Sequence, residues 1–238
     1  MLNWHAAQGQ TWRLGVSKAF RPPSTYEKFA NVRYVWNGLL LGVNTLSSGR
    51  VDTESVMSRE LGYLGEFPRW GLSLDVRAFH EQINGFIRQQ NTTLPRDYAN
   101  EESFSIYGLE YQLKWQPWPG AELGFNQAFI RNDSLQNWTS RTYLSVPELA
   151  STLSYVQKLP NGLNLSLMHQ DSRAFTLHGS SEFFAIRRTD LRLGWPLRWG
   201  SRSGELALVL QAAGGGYQDY KPWSEFTRRA FVSLRLEQ

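Results

Sequence analysis

Apolar and polar residues alternate along much of the chain, and residues 105–115, SIYGLEYQLKW, show the pattern most clearly. One set contains Tyr107, Leu109, Tyr111, Leu113 and Trp115, and the other contains Gly108, Glu110, Gln112 and Lys114. Because successive side chains of an extended strand point to opposite faces, a period of two predicts a β-strand. One face of this strand is apolar and aromatic, and the other is charged.

About ten segments alternate in this way and are separated by residues that favour turns. They are residues 11–20, 55–67, 71–87, 105–115, 121–131, 148–159, 163–175, 185–195, 205–213 and 228–238. Residues 21–54 show no clear alternation, and no segment shows a helical period over a substantial length. The pattern predicts an all-β fold, an antiparallel sheet of about ten strands that is expected to be part of a larger barrel.

The predicted connections alternate between short turns and long loops, which is typical of outer-membrane β-barrels. Five tryptophans lie at or beside the short turns, where an interfacial aromatic belt is expected: Trp70, Trp115, Trp118, Trp195 and Trp199. A soluble all-β protein would show the same alternation, but charges on the polar faces of so many strands and aromatic residues at their ends favour the transmembrane barrel.

Composition excludes several other classes of protein. The chain has no cysteine, which removes disulfides, thiol catalysis and thiolate metal sites. Its net charge of +4 is modest and its cations are dispersed, so we expect no nucleic-acid partner. Mean hydropathy is negative, but only half of the residues in a transmembrane strand face lipid, so this value does not argue against a membrane protein.

The segment SKAFRPPSTYEKF, residues 17–29, resembles a barrel motif of TonB-dependent outer-membrane receptors. The likeness is carried by Phe20, Arg21, Pro23, Ser24, Tyr26 and Glu27. Four further matches follow in the family's order. They are Glu54, Glu60 and Gly62 in VDTESVMSRELGY; Ile83 and Ile87 in AFHEQINGFIRQ; Gly108 and Glu110 in IYGLEYQL; and the Val-Pro strand entry of VPELASTLSY.

This resemblance implies that residues 1–238 are the C-terminal portion of a receptor barrel of the outer membrane of a Gram-negative bacterium. The family's barrel has about 22 strands around a plug, so the remaining strands and the plug domain are expected outside this chain. The implied partners are outer-membrane lipid, the TonB system acting through the missing plug, and a small-molecule or metal-chelate substrate. The implied function is uptake of a scarce solute such as a ferric siderophore, haem or cobalamin. No cofactor and no resident metal are expected.

Aromatic residues in the long loops are candidate substrate contacts, because loops carry specificity on a rigid scaffold. The candidates are Tyr34, Trp36, Trp138, Tyr143, Tyr217, Tyr220 and Trp223. Each could equally serve in loop packing or in an interfacial belt. Five charged residues are expected to face the lumen, where they either contact a plug or pair across strands: Glu110, Lys114, Arg188, Asp190 and Arg192.

Two alternatives remain open at this point. A small stand-alone outer-membrane barrel, either a passive porin or a structural barrel, would share the alternation. A barrel protease or lipase would need converging catalytic side chains, and the nearest candidates are the pair His169 and Asp171 and the sequence His178-Gly179-Ser180. The four histidines are scattered and show no ligand spacing, so we expect neither an enzyme nor a metal site.

Overall fold

The computed structural model describes residues 1–90, 93–134, 145–176, 185–218 and 224–237. Eleven strands form one antiparallel sheet in which every strand pairs with the next along the sheet. In order they are β1 (Leu2–Ala7), β2 (Gln10–Arg21), β5 (Glu54–Phe67), β6 (Leu72–Gln90), β7 (Asp97–Trp115), β8 (Ala121–Asn132), β9 (Leu149–Lys158), β10 (Asn164–Ser172), β11 (Arg187–Trp199), β12 (Arg202–Gln211) and β15 (Arg229–Glu237). The prediction of an all-β fold with an antiparallel sheet of about ten strands is therefore confirmed.

Smaller elements lie in two of the long connections. Between β2 and β5 the chain forms helix α1 (Thr25–Phe29) and a hairpin of β3 (Asn31–Trp36) and β4 (Leu39–Leu46). Between β12 and β15 it forms the two-residue strands β13 (Tyr217–Gln218) and β14 (Glu225–Phe226). A 3-10 turn, Pro68–Trp70, joins β5 to β6.

The structure adds elements that alternation did not predict. The β3–β4 hairpin has register shifts between Val32 and Arg33 and between Tyr34 and Val35, which break the period of two. Strand β1 has only six residues and a register shift near its end. The strand predicted over residues 71–87 continues to Gln90 in β6, past register shifts between Ile83 and Ile87.

The two ends of the sheet differ as expected. At one end the connections are short and cover residues 8–9, 68–71, 116–120, 159–163 and 200–201. At the other end they are long and cover residues 22–53, 91–96, 133–148, 173–186 and 212–228. Seven of the ten tryptophans lie on strands or turns at the short-turn end, namely Trp4, Trp12, Trp70, Trp115, Trp118, Trp195 and Trp199. We call these residues the tryptophan band.

The sheet has an apolar face and a charged face. Leu61, Leu109, Phe129 and Leu208 on the apolar face are between 42% and 55% exposed, although a soluble sheet would bury such side chains. Buried apolar residues are few among the described residues, and Val51, Ile87 and Phe104 lie towards the long-connection end. Strands β1 and β15 form the two edges and do not pair with each other in the part of the chain that is described. No described helix is long and apolar enough to cross a membrane.

Candidate functional site

A ladder of ion pairs crosses the charged face from β2 to β7. Arg77 lies at its centre, where Nε donates to Glu60 at 3.0 Å and Nη1 donates to Glu110 at 3.3 Å. Arg13 donates to Asp75 at 2.5 Å. All of these side chains except Glu60 line part of a concavity of about 580 Å³ on this face. Cross-strand neighbours of opposite charge neutralise one another, so the ladder stabilises the register of four strands.

Two glycines of the family motifs make room for this ladder. A Cβ on Gly62 would lie 3.0 Å from Arg13 Nε, so a side chain there would displace the guanidinium that reaches Asp75. A Cβ on Gly108 would clash with the carbonyl oxygen of Phe129 and lie 2.9 Å from the ring of Phe79. That ring lies under the guanidinium of Arg77, with 5.0 Å between the guanidinium carbon and the ring centroid. In both motifs, Glu-x-Gly and Gly-x-Glu, the glutamate therefore takes part in the ladder, and the glycine leaves space for a side chain of the neighbouring strand.

A second cluster occupies the charged face of β11 and β12. Arg188 makes a bidentate contact with Asp190, including an Nη2–Oδ2 distance of 2.6 Å, and donates to Tyr217 Oη at 3.0 Å. Asp190 also accepts a hydrogen bond from the backbone N–H of Ala212 at 3.1 Å. Nearby, Arg192 Nη1 donates to Glu205 at 3.0 Å. Four of the five residues expected to face the lumen thus pair with charged neighbours, whereas Lys114 forms no ion pair with the described residues.

The best-connected group of motif residues lies where β2 and β5 meet the first long connection, and we call it the rim cluster: Arg21, Ser24, Glu27 and Glu54. Arg21 Nε donates to Glu54 Oε1 at 2.5 Å, and Arg21 Nη1 donates to Glu27 Oε1 at 3.1 Å. Glu54 Oε2 also accepts the backbone N–H of Ile87 at 3.0 Å. Arg21 therefore connects the end of β2 to helix α1 and to β5. Through Glu54 it is also connected to β6 near its long-connection end.

Local sequence explains why the chain turns at the rim cluster. Pro23 precedes Ser24, the N-cap of α1, and Ser24 and Glu27 form a reciprocal capping box. Burial opposes ionisation of Glu27, but hydrogen bonds from the Ser24 backbone N–H and hydroxyl and from Arg21 outweigh it and lower its pKa. The neighbouring Phe20 points away from this cluster onto the apolar face, because adjacent strand residues alternate, and it is 64% exposed.

A further carboxylate fixes the first long connection to the start of β7. Asp97 accepts hydrogen bonds from the backbone N–H groups of Ser48 at 3.0 Å and Tyr98 at 2.7 Å. Burial would raise the pKa of Asp97, but these bonds and the positive charge of Arg50 lower it. The β3–β4 hairpin is thus fixed to the sheet by ionised groups at both of its ends.

The predicted substrate-contact residues are dispersed over several connections. Tyr34 and Trp36 lie on β3 and are 54% and 68% exposed. Tyr217 lies on β13 and stacks on Phe226, with ring centroids 5.3 Å apart. The β3–β4 connection follows the second strand of the sheet and the β13–β14 connection follows the tenth. Trp138, Tyr143, Tyr220 and Trp223 lie outside the described residues.

The side chains considered for catalysis do not converge. His169 Nδ1 lies 2.8 Å from Thr189 Oγ1, whereas Asp171 pairs with Arg187 at 2.7 Å. Both side chains lie on the apolar face of β10, in the same alternating set as Leu165 and Leu167. His178, Gly179 and Ser180 lie outside the described residues. Among the described residues, no three His, Asp or Glu side chains form a group that could hold a metal ion.

Sequence reasoning missed some members of these clusters. Arg13 and Asp75 were not selected as site residues, although each lies on the polar set of its own strand. The stacking partner Phe226 and the cation above it, Arg229, were also missed, with the Arg229 guanidinium carbon 5.5 Å from the Phe226 ring centroid. The alternation of polar and apolar residues could have identified Arg13 and Asp75. No pattern in the sequence predicted that Phe226 on β14 would pack against Tyr217.

The sheet order, the unequal ends, the tryptophan band and the two contrasting faces together define the wall of an outer-membrane-type β-barrel. The model of the family described as TonB dependent receptor-like, beta-barrel, matches residues 1–220. The chain therefore belongs to the TonB-dependent receptor β-barrel family. No curated protein sequence gave a significant match.

Solved structures of receptors and transporters share this fold. The ferric-catecholate import receptor Fiu from K12 E. coli is 14% identical with a TM-score of 0.67, and the match covers 98% of this chain and 33% of that one. The ferric yersiniabactin uptake receptor FyuA from Yersinia pestis is 16% identical with a TM-score of 0.65, covering 98% and 35%. The copper transporter OprC is 11% identical with a TM-score of 0.69, covering 98% and 38%.

These comparisons confirm the recognised family and the expectation that the chain is not an enzyme, since the family and these neighbours are receptors and transporters. The family is one of Gram-negative outer-membrane proteins. The chain spans between 33% and 38% of the length of these three solved structures.

Proposed function

We propose that residues 1–238 form the C-terminal portion of a receptor barrel that takes up a scarce solute across the outer membrane of a Gram-negative bacterium. Ferric siderophores, haem and cobalamin are the expected classes of solute. The observation that carries the proposal is the family match over residues 1–220 on a sheet that has one apolar and one charged face. TonB would act through a plug domain outside this chain.

The two edges of the sheet support a larger barrel. Strands β1 and β15 leave backbone N–H and C=O groups without a strand partner among the described residues. Hydrocarbon cannot satisfy such groups, so edges at membrane depth must be closed by further strands. Further strands of the same receptor would close them, which agrees with the chain covering 33% of the ferric-catecholate receptor.

The aromatic groups at the long-connection end supply the proposed solute contacts. Trp36 is well exposed, and Tyr217 lies beside the cations Arg188 and, through Phe226, Arg229. Aromatic faces and guanidinium groups together suit a flat, anionic chelate. Tyr34, Trp138, Tyr143, Tyr220 and Trp223 remain candidates for the same role.

Uptake in the source bacterium tests the proposal. The gene is deleted, and accumulation of a radiolabelled ferric siderophore, haem and cobalamin is measured with and without an intact TonB gene. Loss of accumulation of one solute class, in a manner that also requires TonB, is the expected result. Unchanged uptake of all three classes, together with steady ion conductance of the purified protein in planar bilayers, would instead identify a passive barrel.

The matched variants Trp36→Ala and Trp70→Ala then test the assigned contacts. Both tryptophans are 68% exposed, but Trp36 lies in the long-connection hairpin and Trp70 lies in a short turn. The first substitution should weaken solute binding about fivefold or more, because a ring stacked on an aromatic side chain contributes about 1–3 kcal/mol in comparable sites. Equal effects of the two substitutions would remove Trp36 from the solute site.

A further inference from the structure

Polar side chains interrupt the apolar face where β8, β9, β10 and β11 run side by side. We call them the polar patch: Gln127, Ser151, His169 and Thr189. Gln127 Oε1 accepts a hydrogen bond from Tyr111 Oη at 2.6 Å. His169 Nδ1 lies 2.8 Å from Thr189 Oγ1. Within the described part of the chain, neither Nε2 of Gln127 nor Nε2 of His169 has a hydrogen-bond partner.

The depth of the polar patch follows from the register of the sheet. A row of opposed residues starts at Trp12 on β2, passes Tyr111 on β7 and reaches Arg187 on β11. With strands about 4.8 Å apart and tilted by about 40°, each strand raises the row by about 3 Å, and two residues along a strand span about 5 Å of height. This tilt places Trp12, Trp115 and Trp195 within about 3 Å of one level, whereas a tilt of the opposite sense would separate Trp12 from Trp195 by about 40 Å.

Gln127 and His169 lie at one level, deep in the apolar surface. Gln127 belongs to this row, four strand spacings from Trp12, at a height of about 12 Å. Asp171 continues the row on β10, and His169 lies two residues closer to the short turns, at about 13 Å. The apolar band of outer-membrane barrels is roughly 25 Å tall, so both side chains lie near its middle. Lipid tails neither donate nor accept hydrogen bonds, so polar groups at this depth favour a protein partner.

The positions of these two groups suit a pair of identical barrels. Gln127 on β8 and His169 on β10 lie on either side of β9, about 10 Å apart across the sheet. A two-fold axis along the membrane normal at β9 keeps every residue at its own height and exchanges the two sides. It therefore places Gln127 of each copy opposite His169 of the other. A donor and an acceptor at equal height make this surface self-complementary, which favours a second copy over an unrelated partner.

We infer that the polar patch is a lateral contact site for a second copy of the same receptor within the membrane. The inference rests on the proposed function and its membrane placement, and it goes beyond solute uptake. The amide N–H of Gln127 donates to His169 Nε2 of the second copy, which accepts in the tautomer whose Nδ1–H donates to Thr189. Gln and His side chains form such hydrogen bonds between membrane-spanning elements. Leu153 lies on β9 between the two groups and is 37% exposed, so it packs against its own counterpart.

Site-specific photocrosslinking in the source bacterium tests the contact. Benzoylphenylalanine is introduced in place of Leu153 in the receptor that contains this chain, and a second copy with a different epitope tag is expressed beside it. The control position is Leu61 on β5, which is 49% exposed on the same face, at a height of about 8 Å against about 10 Å for Leu153. A product that carries both tags, confirmed by mass spectrometry, is expected from Leu153 and not from Leu61.

Two matched histidine variants test the hydrogen bonds. His169→Leu removes the acceptor, and His80→Leu makes the same change on the same face of β6, where His80 Nδ1 lies 3.4 Å from Arg59 Nη1. Leucine suits a lipid-facing position, so both variants should fold, which gel mobility before and after heating checks. His169→Leu and Gln127→Leu should each lower the yield of the two-tag product about fivefold, whereas His80→Leu should change it by less than about twofold.

Several results would overturn the contact. They are equal two-tag yields from Leu153 and Leu61, a Leu153 product that contains another protein or lipid alone, and equal effects of His169→Leu and His80→Leu. Solute accumulation in the same cells separates this inference from the proposed function. TonB-dependent uptake without a two-tag product removes the lateral contact and leaves the receptor proposal intact. Absence of the receptor from the outer-membrane fraction contradicts the membrane placement, and the contact with it.

Discussion

Replacing Arg21 with methionine should release the first long connection from the sheet without unfolding the sheet itself. Methionine keeps much of the side-chain volume but removes the guanidinium donors to Glu27 and Glu54, while the backbone N–H of Ser24 still donates to Glu27. Arg21 contacts Glu54 at 2.5 Å and Glu27 at 3.1 Å, and both glutamate side chains are only 14% exposed. The substitution therefore leaves two partly buried carboxylates close together without their cation, which is unfavourable.

The expected cost follows from the contacts. A hydrogen bond to a charged group contributes roughly 1.5–3 kcal/mol when it is sheltered from water. The Arg21 side chain is 45% exposed, so solvent screening lowers the contribution of each pair. We expect about 2 kcal/mol for both pairs together, which corresponds to about a thirtyfold increase in the open population of this segment.

Hydrogen exchange measures that opening directly. The backbone N–H of Ala30 donates to Tyr26 at 3.0 Å, that of Leu46 to Arg96 at 2.9 Å, and that of Ser47 to Ala30 at 2.8 Å. These amides should exchange about thirtyfold faster in Arg21→Met, while amides of β8 and β9 keep their protection.

The control is Arg33→Met on the β3 strand of the same hairpin. Arg33 donates to Asn31 at 2.8 Å, and among the described residues it forms no ion pair with a carboxylate. If the three amides exchange within about threefold of the unmodified protein in Arg21→Met, or if Arg33→Met accelerates them equally, the rim cluster does not hold the connection.

Three further predictions concern the sheet and its connections. Gly108→Ala should lower the free energy of unfolding in micelles by about 1–3 kcal/mol, because the added Cβ would clash with Phe129 and Phe79. The control Gly42→Ala should be neutral, because no atom lies within 4 Å of the added Cβ. Equal urea midpoints for the two variants would count against the packing argument. Arg77→Met should cost about 1–2 kcal/mol, since it leaves Glu60 and Glu110 unpaired, and a midpoint shift no larger than that of Arg202→Met would show that the ladder adds nothing. The pKa values of Glu27 and Asp97 are depressed in the folded protein. The two carboxylates therefore stabilise the first long connection above the ordinary carboxyl pKa, and this stabilisation is lost as the pH falls through their folded-state pKa values. Pepsin cleavage within residues 22–53 should accordingly increase below the ordinary carboxyl range, and an identical pH profile in Asp97→Asn would exclude Asp97 from this effect.

Local sequence was sufficient for the class of fold. The alternation from Tyr107 to Trp115 depends only on the geometry of an extended backbone, which sends neighbouring side chains to opposite faces whatever lies beside them. The same argument located most long strands and the tryptophans beside the short turns. It failed at β1, at the β3–β4 hairpin and beyond Ile87, because short length and bulges interrupt the period of two.

The candidate sites depended on contacts that no local pattern encodes. The motif residues Arg21 and Glu54 are 33 positions apart, yet they face each other because β2 and β5 pair in one particular register. A shift of that register by one residue would turn one partner to the opposite face and separate the two charges. The sequence by itself determined which residues share a face of a strand. The tertiary structure decided which residues of different strands meet, because pairing across strands sets the register and the register brings charges together.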